Sequence, residues 1–197
     1  MPLPARDTEL VQIMDAALVD AASRAGPLLA CRPGCTQCCH GVFAINSLDA
    51  ARLHAGMQAL LASDPDKAEG IRTRAHAWIN HYAPDFPGNS ATGVLGTSED
   101  DQARFEDFAN DAPCPALNPE TGLCDIYAWR PMTCRVFGPP VRVAESDALA
   151  CCELCFIGAT DDQIAACEMH LPHELEEQLI EETAESCETI VAFALLR

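Results

Sequence analysis

Twelve cysteines in 197 residues constrain this chain more than any other feature. The stretch "CRPGCTQCCHG", residues 31 to 41, places four of them in nine positions, the last two side by side. Ten cysteines fall in three loop clusters: Cys31, Cys35, Cys38 and Cys39; Cys114, Cys124 and Cys134; Cys151, Cys152 and Cys155. The other two occupy apolar positions at helical spacing. Cys167 shares a stripe with Ile164 and Leu171, and Cys187 shares one with Leu175, Leu179, Val191 and Ala194. A free cysteine at such a position packs as a small hydrophobe.

The loop sulfurs either pair with one another or hold something. A hydrophobic content of 49% over this length buries a core without covalent staples, and it predicts one compact domain over residues 1 to 197. The opening "MPLPARDTELVQIMDAALVDAAS" carries Asp7, Glu9, Asp15 and Asp20 among its apolar residues, unlike the basic start and unbroken apolar core of a secretory leader. No stretch reaches the roughly 18 to 20 uncharged apolar residues of a membrane span. The expectation is a soluble, cytoplasmic protein, where thiols stay reduced and a cysteine-rich pattern means metal or redox chemistry.

The spacing supports metal. Two cysteines separated by two residues can turn both thiolates toward one ion while the intervening amides point at the sulfurs. The chain has two such units, Cys35 to Cys38 and Cys152 to Cys155. Adjacent pairs differ, because neighbouring side chains diverge. Of Cys38 and Cys39, either one packs inward or the site is polynuclear. The candidate ligands are Cys31, Cys35, Cys38, Cys39, Cys114, Cys124, Cys134, Cys152 and Cys155, with Cys151 and His40 left open. Arg130 and Arg135 flank Cys134, and guanidiniums there would stabilise an anionic thiolate centre. Iron or an iron–sulfur cluster is preferred, with zinc as the alternative.

"CRPGCTQCCHG", then "CPAL", "GLCDIY" and "RPMTCRVFG" together resemble the YkgJ-type cysteine-cluster proteins, the CxxCxxCC family, described as zinc- or iron-chelating domains and related to flagellin lysine-N-methylases. The resemblance runs from about Cys31 to Cys155 and implies a metal held by cysteines. One departure is that Cys31 and Cys35 are separated by three residues where the family name implies two. Cys31, Cys35 and Cys38 also spell CxxxCxxC, the cluster motif of radical S-adenosylmethionine enzymes. Such enzymes need a β/α barrel, and the alternating strand and helix pattern is absent.

Elsewhere the pattern is mainly α. Helices are expected over 8 to 25, from Ser47 as N-cap through the "SLDAARLHAGMQALLA" run, from Asp64 and Pro65 through Ile79, over a short stretch at "EDDQARFEDFAN", and over 161 to 196 in two pieces broken near Pro172. Residues 83 to 98 read as a long surface connection, and residues 111 to 158 as a loop-dominated segment ordered by bound metal. The fold class is a compact helical domain with a long cysteine-rich, metal-binding segment.

A formal net charge of −18 repels nucleic acid and anionic membranes alike. Residues 144 to 196 hold no Lys or Arg, so the acidic C-terminal helix is a solvated face or a docking surface for a basic protein partner. Three function classes remain: a metal-binding protein in redox, sensing or metal handling; a protein-modifying enzyme resembling the methylases; and an interaction module with structural zinc. The first is favoured, because no cofactor loop and no catalytic constellation names a reaction.

Overall fold

In a computed structural model that describes residues 2–143, 146, 148–183 and 187–197, the chain is mainly α-helical. Eight α-helices occur among the described residues: α1 (Asp7–Ala25), α2 (Ser47–Ser63), α3 (Pro65–Tyr82), α4 (Glu99–Glu106), α5 (Met132–Val136), α6 (Asp161–Ala165), α7 (His173–Glu182) and α8 (Val191–Ala194). Strands β1 (Gly88–Asn89) and β2 (Val94–Leu95) pair antiparallel, as do β3 (Val141–Arg142) and β4 (Leu149–Ala150). No helix among the described residues is long and apolar enough to cross a membrane. The chain divides into two compact units, the first built mainly from Gly34–Pro131 and Ile180–Arg197, the second from Pro4–Pro33 and Met132–Leu179.

In the first unit α2, α3 and α8 pack on one another. Ala68, Ile71, Ala75 and Trp78 recur along one face of α3 and are buried, and Leu53, Met57 and Leu60 of α2 share a core with Ala68, Ile71 and Ala75. Asn46, one residue before the expected Ser47, is the N-cap of α2: its side chain accepts from the Asp49 amide at 2.9 Å. The Ser47 hydroxyl is instead bonded to that of Thr183. Asp64 caps α3 as expected, accepting from the Lys67 amide ahead of Pro65.

Two expectations give way here. Residues 83 to 98 do more than connect, since Phe86 and Leu95 are buried and Phe86 stacks on Phe193 with ring centroids 5.0 Å apart. Among the described residues the helical pattern of 161 to 196 is broken into three helices, and residues 187–190 are not helical. Thr189 exchanges both backbone hydrogen bonds with Ile45, at 2.8 and 3.0 Å, and Glu188 accepts from the Leu95 amide at 2.9 Å. Paired partners on two sides outweigh the helical periodicity, and β-branched Thr189 and Ile190 suit an extended path into α8. Cys187 therefore belongs to no helical stripe and is only half-buried.

In the second unit α1 packs on α5. Leu10, Met14, Ala21 and Ala25 form the buried face of α1, which ends at Gly26 (φ +52°) and Pro27 as the sequence implies. Arg135 of α5 is buried, with its guanidinium 2.6 Å from the Asp15 carboxylate of α1. Arg24 donates to the carbonyls of Ala166 and Glu168, and Met169 donates to the Pro140 carbonyl. Along the part of α7 that belongs to this unit, Glu174 and Glu177 face solvent.

Gly56 of α2 lies under Trp129, which belongs to a short 3-10 turn, Tyr127–Trp129. A β-carbon at position 56 would sit 2.5 Å from the Trp129 ring. Gly56→Ala should therefore destabilise the protein by about 1–3 kcal/mol, although alanine is the better helix former. Thermal unfolding checks this, and a stabilised variant would show that the close approach is absent.

Candidate metal centre

In the first unit two straps bring four cysteines together. The first is a 3-10 turn, Gln37–Cys39, closed by the Cys39 amide donating to the Thr36 carbonyl at 2.8 Å. It turns back at Gly41 (φ +86°), where a β-carbon would meet the Asn110 carbonyl oxygen at 2.8 Å. The second strap runs alongside. The Gly41 amide donates to Ala112 at 3.0 Å, and the Cys114 amide donates to Cys39 at 2.7 Å.

From Cys114 the chain doubles back through "NPETG" as the sequence implies. The Asn118 amide donates to Leu123 at 2.8 Å and the Asp125 amide to Ala116 at 2.9 Å, while Asn118 Oδ1 accepts from the amides of Glu120 and Thr121. Leu117 thereby faces Cys124 across the turn. The segment thus has backbone order of its own. Arg74 of α3 fastens it, donating to the Pro115 carbonyl at 2.8 Å and to the Asp125 carboxylate at 2.7 Å. Sequence reasoning missed both Arg74 and Asp125. Asp125 follows Cys124 directly, but nothing local marks Arg74 in the middle of a helix.

The sulfurs feel one another. Cys39 donates its thiol hydrogen to Cys38, which draws the Cys38 thiol down to about 6, assisted by its own amide and by the Arg130 charge. The same bond holds the proton on Cys39, and burial and the neighbouring Cys38, Cys114 and Cys124 also push Cys39 upward. Burial pushes Cys114 up to about 11, opposed by the nearby amides of Ala116 and Leu117, the latter also donating to the Cys114 carbonyl at 2.9 Å. Cys124 is also raised by burial, opposed first by the Ile126 amide and then by Arg130. Arg130 is itself buried, stacked 3.9 Å over the Tyr127 ring and donating to the Tyr127 carbonyl at 3.0 Å.

Cys35 lies on the same strap as Cys38, half-buried. His40 Nδ1 is 3.0 Å from the Thr36 carbonyl, so that nitrogen donates there and only Nε2 remains for other partners.

The second unit holds Cys31, Cys134, Cys151, Cys152, Cys155 and Cys167. Cys31 and Cys151 are exposed, Cys134 and Cys152 are half-buried, and Cys155 and Cys167 are buried in one apolar cluster with Ala25 and Phe156. Cys151 is raised by burial and by Cys155. Arg135, which flanks Cys134 in sequence, is engaged by Asp15.

No disulfide joins any of the twelve cysteines. Among the described residues, no three His, Cys, Asp or Glu side chains already stand as a metal cage. Cys38, Cys39, Cys114 and Cys124 are electrostatic neighbours, with backbone amides and the Arg130 charge close enough to favour thiolate on Cys38 and Cys124. That donor set, soft sulfur with oriented N–H groups, suits zinc, iron or an iron–sulfur cluster.

No curated protein and no solved structure matches the chain. The CxxCxxCC family, described as a putative zinc- or iron-chelating domain, matches residues 30–188, a span that takes in every cysteine of both units, and the chain belongs to that family.

Proposed function

We propose that the first unit holds a thiolate metal centre on Cys38, Cys39, Cys114 and Cys124, with Cys35 on the same strap, and that the protein serves in redox chemistry, sensing or metal handling. One observation carries this reading: the Cys114 hairpin sets the amides of Ala116 and Leu117 near one sulfur and that of Ile126 near another, where each favours the thiolate. Apolar packing has no use for such dipoles. They offset the cost of holding negative sulfur away from water, and a bound cation would remove most of the remainder.

The first strap fits zinc as well as iron. The 3-10 turn sets the adjacent sulfurs of Cys38 and Cys39 into direct contact rather than on opposite sides. Two sulfurs so close can serve as two corners of one tetrahedron, so their contact does not separate zinc from iron. The four cysteines would supply the thiolates, and the bound group would supply one-electron chemistry if iron, or a rigid crosslink if zinc. Closing on it would require rotation about the Cα–Cβ bonds of cysteines whose backbones are already fixed.

Protein prepared without oxygen or chelator should contain iron or zinc by elemental analysis, and visible absorption with acid-labile sulfide identifies the cluster. Cys114→Ser combined with Cys124→Ser should lower that content, and a doubly substituted protein with unchanged metal would sink the assignment.

Arg130→Met keeps the side chain's length and removes its charge. It should weaken metal retention roughly 10- to 100-fold in chelator competition, as loss of a supporting group around a metal typically does. Retention equal to wild type would show that Arg130 only packs on Tyr127.

A further inference from the structure

We infer that the second unit carries a separate thiolate site for a soft or borderline divalent ion such as Zn2+, built on Cys31, Cys152 and Cys155. The inference rests on the reading that this chain's cysteines hold metal, and it extends that reading to a site the first unit does not contain. Three backbone contacts draw these residues together. The Cys155 amide donates to the Cys152 carbonyl at 2.8 Å, so both side chains leave one tight turn. The amide of Ala30, the residue before Cys31, donates to Cys155 Sγ at 3.4 Å. Gly138 then links the third pair. Its carbonyl accepts from the Cys152 amide at 3.3 Å, while a β-carbon on it would lie 2.6 Å from Cys31 Sγ. At φ +122° position 138 also excludes other residues conformationally.

Packing alone does not explain this arrangement. Cys167, in the same apolar cluster, ends a helical turn by donating its amide to Ile164, as an ordinary core cysteine can. Cys155 instead has an amide directed at its sulfur, and the next residue, Phe156, is held at φ +57° with its amide donating to the Leu28 carbonyl at 2.7 Å. A bulky residue in the left-handed region is strained, and such strain gathers at ligand-holding turns. Three thiolates from a turn and the loop at Cys31 satisfy three positions of a tetrahedral ion, leaving the fourth to water or a further ligand.

The test uses the full chain. Stripped protein is titrated anaerobically with Co2+, followed by sulfur-to-cobalt absorption, and should take up about two metal sites' worth of ion. Cys152→Ser with Cys155→Ser should remove one share, and Cys114→Ser with Cys124→Ser the other. Uptake unchanged in the first double variant, or abolished in it while the helical signal persists, overturns the inference. Wild-type protein gives a readout independent of folding. Alkylation followed by mass spectrometry should label Cys31 and Cys152 in stripped protein and spare them after Zn2+ is added. Protection of Cys38, Cys39, Cys114 and Cys124 without Cys31 and Cys152 would leave the first-unit centre standing and remove this one, and protection of neither group would remove both.

Discussion

Cysteine sulfur drawn partly away from water is the condition around which the two straps of the first unit are arranged. A chain of net charge −18 has little positive charge to spare, and burial alone pushes Cys114 and Cys124 toward their neutral forms. The opposing groups are local and fixed: amides at two turns, and the Arg130 guanidinium anchored on Tyr127. Each needs something behind it. Arg74 reaches from α3 to hold the hairpin, and Trp129 presses on the bare backbone of Gly56 to set the turn that ends in Arg130. The helices therefore act as the rigid support on which two short straps are aligned, and much of the unit's packing has a bearing on the sulfurs.

Much of this support could be read from the residues. The apolar spacing of α1 and α3, the Asp64–Pro65 start and the Gly26–Pro27 stop act within one turn of helix, so neighbours in sequence suffice to reveal them. The cysteine clusters and the Asn118 turn are local in the same sense. What escaped is non-local. Residues 187–190 look helical by period, yet Ile45 and the Glu188 to Leu95 bond hold them extended, and no window of sequence contains those partners together. Arg74 is the same case for the site, an ordinary exposed-face residue by pattern whose partners lie 41 and 51 residues away. Arg130 and Arg135 show the limit from the other direction. Near neighbours in the chain, they serve different ends, one beside Cys38 and Cys124 and the other against Asp15.

Adjacent cysteines illustrate how a short irregular element alters an inference drawn from regular ones. In an extended strand successive side chains part, but the 3-10 turn at Gln37–Cys39 tightens the backbone enough for Cys39 to donate to Cys38. The pair then behaves as one proton-sharing unit rather than as two separate thiols. In the second unit the corresponding neighbours, Cys151 and Cys152, follow a strand, and one is exposed while the other is half-buried. The same dipeptide thus has two characters in one chain, set by the backbone that carries it.

The Trp129 contact with Gly56 has a spectroscopic corollary. The chain has two tryptophans, Trp78 and Trp129, and both belong to the first unit. Trp78 sits in the aromatic cluster with Tyr82 and Phe108, and Trp129 lies five residues beyond Cys124. Indole emission is therefore a private channel of that unit. It is placed to be quenched by an absorbing centre nearby and carries no direct signal from a melting event confined to α1, α5 and α6.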